Sequence, residues 1–147
     1  MYKISTMENN NALNELNQAN SRIITLYCEW CKKKGLNYHT FIVIYALYEK
    51  DGRTQKELSA RTHLIKQTIN NIVKSLDSDG YLTIKNSPDN YKEKLISLNE
   101  KGKKYAKGVL NELLEIEAKV TKEMSEEKIQ EMADLSKQFG DLLQKYM

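Results

Sequence analysis

"LIKQTINNIVKSLDSDGYLTIKN", residues 64–86, decides how the rest of the chain is read. At helical period Ile69, Ile72, Val73 and Leu76 fall at i, i+3, i+4 and i+7 and form one apolar stripe. Gln67, Asn70, Asn71 and Lys74 point away from that stripe, and Lys66 joins them near the helix start. Gly80 stops the helix before a β-like run, Tyr81-Leu82-Thr83-Ile84. A polar helix face is most often simply solvated, so the neighbouring segments must decide what this one is for.

Upstream lies "TQKELSART", residues 54–62, where Thr54 followed three residues later by Glu57 fits a capping box at the start of a short helix. Leu58 and Ala60 are expected to face inward. A short connection through His63-Leu64 then joins two helices by a tight turn, in the manner of a helix-turn-helix. Downstream, Tyr81–Asn86 and Lys94–Leu98 read as two strands, separated by "SPDNYKE". Pro88, Asp89 and Asn90 are turn formers, so the pair is expected to be a hairpin with a long polar tip.

Further out, "NYHTFIVIYALYEKDG", residues 37–52, is apolar around most of a helical circumference. It reads as a buried central helix, although its β-branched content would also suit a strand. Leu13, Leu16, Asn20, Ile23, Tyr27 and Trp30 recur at steps of 3, 4, 3, 4 and 3, a helix seam interrupted by one asparagine. Asn99 can cap a long final helical region carrying Leu110, Leu113, Leu114 and Val120. A restart at Ser125 brings Ile129, Met132, Leu135, Phe139, Leu142 and Leu143 onto a second stripe. Stripes at both ends of a small chain need covering, most economically by each other and by a second copy.

At 147 residues, 40% hydrophobic and 29% charged, the chain suits one domain with a core that needs no metal or disulfide. The net charge of +3 is uneven: residues 53–98 carry eight Lys/Arg against five acids, enough to attract phosphates but weak as an argument by itself. The longest apolar run, Phe41–Leu47, is too short to span a bilayer and the N-terminus is polar, so a cytoplasmic location is expected. Catalysis is not indicated. The sequence has no glycine-rich phosphate loop, no nucleophile elbow and no His-x-x-x-His pair, and no cofactor is implied.

The order helix, helix, helix-turn-helix, hairpin, long helices resembles the MarR family of winged-helix transcription regulators. "LNYHTFIVIYAL", "TQKELSART", "TINNIVKSLDSDGYL" and "LISLNEKG" carry the resemblance through roughly residues 36–102, and "MSEEKIQEM" resembles the start of the family's last helix. The resemblance implies a mainly α fold with a small β-hairpin wing. Residues 1–147 would form a single domain, with a winged helix-turn-helix lobe over about 36–99 and dimerisation helices over about 8–34 and 100–147. It implies a homodimer, with Leu13, Leu16, Ile23, Leu135, Phe139 and Leu142 at the dimer contact, bound to a pseudopalindromic DNA operator. Repression is the commoner role in the family, with DNA affinity set by a small-molecule effector.

On that reading the helix Lys66–Ser78 enters the major groove from its N-terminal end. Gln67, Asn70 and Asn71 suit base edges, Lys66 and Lys74 suit guanine or phosphate, and Thr68 suits a thymine methyl or phosphate. Thr54 and Arg61 would hold the DNA backbone. The wing departs from the family pattern: Tyr91 stands where an arginine is usual, and Lys92 and Lys94 supply the charge. Lysine is a hydrated point charge, so the wing is expected to contact phosphates rather than sense groove width. Ile65 stands where the family usually places a serine, which would leave the helix without a good side-chain cap.

Three other features invite functions of their own. Cys28 and Cys31 form "CEWC", open to an oxidant-sensing reading if Lys32, Lys33 and Lys34 activate Cys31, and otherwise two idle thiols. Tyr27, Trp30, Tyr38 and His39 would cluster if the first two helices pack together, forming either an aromatic effector pocket or plain core. A winged lobe that contacts a protein partner and has lost DNA binding is the rival from another class.

Overall fold

The computed structural model describes residues 11–90 and 92–147. Its elements are α1 (Asn11–Lys33), α2 (Tyr38–Glu49), β1 (Arg53–Thr54), α3 (Gln55–Thr62), α4 (Lys66–Ser78), β2 (Leu82–Asn86), β3 (Lys94–Leu98), α5 (Glu100–Met124) and α6 (Glu126–Tyr146). The expected order of helices and hairpin is therefore present. Two compact units divide it, one running to Ala106 and the other from Lys107 onward.

In the first unit α2 is the central helix. Asn37 resolves the helix-or-strand ambiguity at its start: its backbone is extended and its side chain accepts from His39 N (2.9 Å) and Thr40 N (3.3 Å). Phe41, Val43, Ile44, Ala46 and Leu47 are all buried, so the helix is covered on most sides. Leu58 of α3, Ile69, Ile72, Val73 and Leu76 of α4, and Ile96 and Leu98 of β3 complete the core with them.

α3 starts as the sequence indicates, with Thr54 Oγ1 accepting from Glu57 N (3.1 Å) and Glu57 Oε2 accepting from Thr54 N (3.3 Å). Ala60 is a correction: it is exposed, because two helical steps from the fully buried Leu58 turn it to the opposite face. His63 closes α3 in the left-handed region (φ 58°), its N–H donating to Ser59 O at 2.8 Å.

The wing is part of a three-stranded antiparallel sheet of order β1-β3-β2, not a bare hairpin. Arg53 and Thr54 pair with Ile96 and Leu95, while β2 pairs with β3 from Leu82↔Leu98 to Asn86↔Lys94. A two-residue strand has no periodicity to read, and Thr54 shows only its cap signal. β2 also begins one residue later than expected, because Tyr81 is spent on a junction. Tyr81 O accepts from Asn99 N (3.0 Å), and Asn99 Nδ2 donates to Gly80 O (2.8 Å). Asn99 Oδ1 in turn accepts from Gly102 N (2.8 Å), capping α5. A side chain at buried Gly102 would put its Cβ 2.1 Å from Tyr81 O, so only glycine fits there.

In the second unit α6 restarts at Ser125, whose hydroxyl accepts from Lys128 N (3.3 Å). Met132, Leu135, Phe139, Leu142 and Leu143 of α6 are all exposed, as are Leu16, Ile23, Ile24 and Leu26 of α1 in the first unit. Among the described residues no helix is long and apolar enough to cross a membrane.

Candidate nucleic-acid interface

The apolar stripe of α4 buries Ile69, Ile72, Val73 and Leu76, and this forces its other face outward. Lys66, Gln67, Asn71 and Lys74 are exposed, and Thr68 and Asn70 are half-buried at the edge. The amides are already organised. Gln67 Nε2 donates to Asn71 Oδ1 (3.1 Å), and Gln55 Nε2 of α3 donates to Asn70 Oδ1. Each amide keeps further donors or acceptors for an outside partner. The helix begins without a side-chain cap, since Ile65 holds the N-cap position.

Beside this face a groove of about 590 Å³ runs between α3, α4 and the sheet. Its lining carries four lysines, Lys56, Lys66, Lys92 and Lys94, against one carboxylate, Glu93. The hairpin tip is held by its own turn, with Glu93 N donating to Asn90 O (2.9 Å) and Lys92 N to Asn90 Oδ1 (3.1 Å). Lys94 Nζ donates to Asn86 Oδ1 across the strands (2.8 Å), which fixes its stem, and Lys92 stays exposed. Tyr91, placed at the wing tip by the sequence reading, lies outside the described residues. Gln55 and Lys56 were missed by that reading. Their signal was their place in the first turn after the Thr54 cap, on the same side as the start of α4.

Two of the expected backbone contacts have other work. Thr54 is buried and its hydroxyl is the α3 cap. Arg61 donates through Nε and Nη2 to the two carboxylate oxygens of Glu49 (2.8 and 2.7 Å), and Arg53 reaches Glu49 Oε2 at 3.3 Å. The Arg61 hydrogen bond holds the Glu49 carboxyl below its usual range, against some desolvation, and the same bond raises the Arg61 guanidinium.

Within the expected aromatic cluster, Tyr38 meets the His39 ring at 6.1 Å. Trp30 packs edge-on to Phe41 (5.9 Å between ring centres) and Tyr38 stacks on Phe41 (6.2 Å). Trp30 Nε1 is buried without a hydrogen-bond partner. Tyr27 is half-buried on α1, whereas His39 is exposed and lines a separate opening of about 330 Å³ with Thr40, Thr68, Asn71 and Ser75. Both cysteines are free thiols. Cys31 is fully buried, and burial, then the neighbouring Cys28, push its thiol up, opposite to the activation Lys32–Lys34 would give. Burial likewise raises the Tyr38 phenol, helped by both thiols.

A helix-turn-helix followed by an antiparallel sheet whose hairpin stands beside the second helix is a winged helix-turn-helix protein. The sequence pattern of the MarR family matches residues 34–90. The transcriptional regulator SarZ of Staphylococcus saprophyticus is 31% identical over 85 residues, 58% of this chain and 58% of SarZ, so the alignment spans little more than half of that relative. NMB1585, a MarR family regulator from Neisseria meningitidis, superposes with a TM-score of 0.82 at 26% identity, covering 92% of this chain and 95% of its own. Reduced AbfR, solved bound to DNA, shares the fold at 20% identity and a TM-score of 0.70, over 97% of this chain and 99% of its own. Residues 34–90 thus carry the MarR family pattern, on a fold shared with the MarR family regulator NMB1585.

Proposed function

We propose that the protein is a homodimeric transcription regulator, acting as a repressor, that reads a pseudopalindromic duplex with α4 in the major groove. The observation that carries this reading is the face of α4 with Lys66, Gln67, Asn71 and Lys74 exposed and Asn70 half-buried at its edge, beside a groove with four lysines. Amides present donor and acceptor to base edges, and the lysines, Lys92 and Lys94 of the wing included, neutralise phosphates. The DNA held by AbfR on the same fold supports it. Pairing of two copies supplies the second half-site reader, and the exposed apolar residues of α1, and separately those of α6, are available for pairing. An aromatic effector would bind near the unpartnered Trp30 Nε1, with Tyr27 and Tyr38, and shift the spacing of the two α4 helices. His39, facing α4 from its own opening, belongs to the DNA side of the molecule in this reading.

Salt dependence of binding to duplex DNA tests the proposal against a protein-binding wing. Affinity should fall steeply and log-linearly with salt, and Lys92→Ala should lower affinity on all duplexes alike while reducing the slope by about one. A flat salt profile would point to an apolar protein partner instead. A change of sequence preference in Lys92→Ala would show that the wing reads bases or groove shape.

A further inference from the structure

Ile65 is 70% exposed, while the next most exposed large apolar side chain among the described residues of the winged lobe, Tyr48, reaches 41%. It also occupies the N-cap of α4 (φ −69°, ψ 153°), where a serine, threonine, aspartate or asparagine would satisfy a free helix amide and isoleucine cannot. Two unfavourable choices therefore coincide at one residue, a wet aliphatic side chain and an uncapped helix. The backbone there is held in place. Ser59 Oγ donates to Leu64 O (2.9 Å), Leu64 N donates to Thr62 Oγ1 (3.3 Å), and Ile65 O accepts from Ile69 N (3.2 Å). The side chain is thus presented from a fixed turn at the end of α4 nearest the lysines and amides.

If α4 enters the major groove by this end, Ile65 meets base edges, and the one apolar group those edges display is the C5 methyl of thymine. We propose that Ile65 is a specificity residue that packs on a thymine methyl in each half-site, adding an apolar contact to the polar readout. The inference rests on the DNA-binding reading above. Burial against a methyl group gives the exposed side chain a use that a capping serine could not fill.

The test replaces thymine by deoxyuridine, one half-site position at a time, in a duplex the protein binds. That change removes only the methyl group. Wild type should lose about fourfold in affinity at one position per half-site, the worth of one buried methyl. Ile65→Ser should bind thymine and uracil equally there, and Ile65→Leu should keep the preference. Ile65→Ser should also melt at a higher temperature than wild type, since it restores the cap, which excludes misfolding as the cause. Equal binding of thymine and uracil by wild type at every position would overturn the inference, as would an unchanged preference in Ile65→Ser. Absence of binding to any duplex would overturn the DNA-binding reading itself, and the inference with it.

Discussion

Gly102 shows how one residue can fix the relation between a sheet and the helix after it. Its missing side chain lets α5 start against the Tyr81 carbonyl, while Asn99 bonds both sides of the junction. Gly102→Ala should therefore destabilise the fold by roughly 1–3 kcal/mol, read as a lower urea midpoint, because the clash is with backbone that cannot rotate away. A midpoint equal to wild type would mean that the junction yields. At this scale the sequence was legible where a residue acts through local chemistry: the Thr54 and Asn99 caps follow from neighbours within a few positions, whereas the uncapped Ile65 was legible through the family resemblance. It was illegible where a partner lies far along the chain. Nothing near Arg61 announces Glu49, and nothing near Asn70 announces Gln55, fifteen residues away.

Among the elements, α2 and α3 are tied at their ends by Glu49 and Arg61. The folded-state pKa of Glu49 is lowered, chiefly by the Arg61 hydrogen bond, so its contribution is present above the unfolded value of about 4.3 and is lost as pH falls through the lowered folded value. Glu49→Gln should be less stable than wild type near neutral pH, by a small margin suited to a partly exposed pair, and the gap should close in acid. Urea midpoints of the two proteins across pH check this. A gap that stays constant with pH would mean that Glu49 acts through packing rather than charge. Helix period revealed α4, which buries one stripe against the core, whereas α2 is covered on most sides and is marked by its Asn37 cap, and α3 was marked by its Thr54 cap. β1 escaped because two residues cannot show a period, and it is recognisable only from the edge of β3 that it covers.

For the whole molecule, a modest net charge of +3 conceals a local concentration of lysines, which folding gathers from α3, α4 and the wing into one groove. That gathering is what turns the amide face of α4 from a wet surface into a candidate reader of sequence. The exposed apolar residues of α1, and separately those of α6, are the faces through which the proposed pairing of two copies would set the spacing of what is read. The sequence stripe foretold these faces because amphipathic period survives whether or not a partner is present. The most direct measurement is selection of bound duplexes from a random pool, by wild type and by Asn70→Ala/Asn71→Ala. A pseudopalindrome with half-sites about one helical turn apart is expected for wild type, lost or relaxed in the variant. No enriched site, with wild type and variant alike, would contradict it.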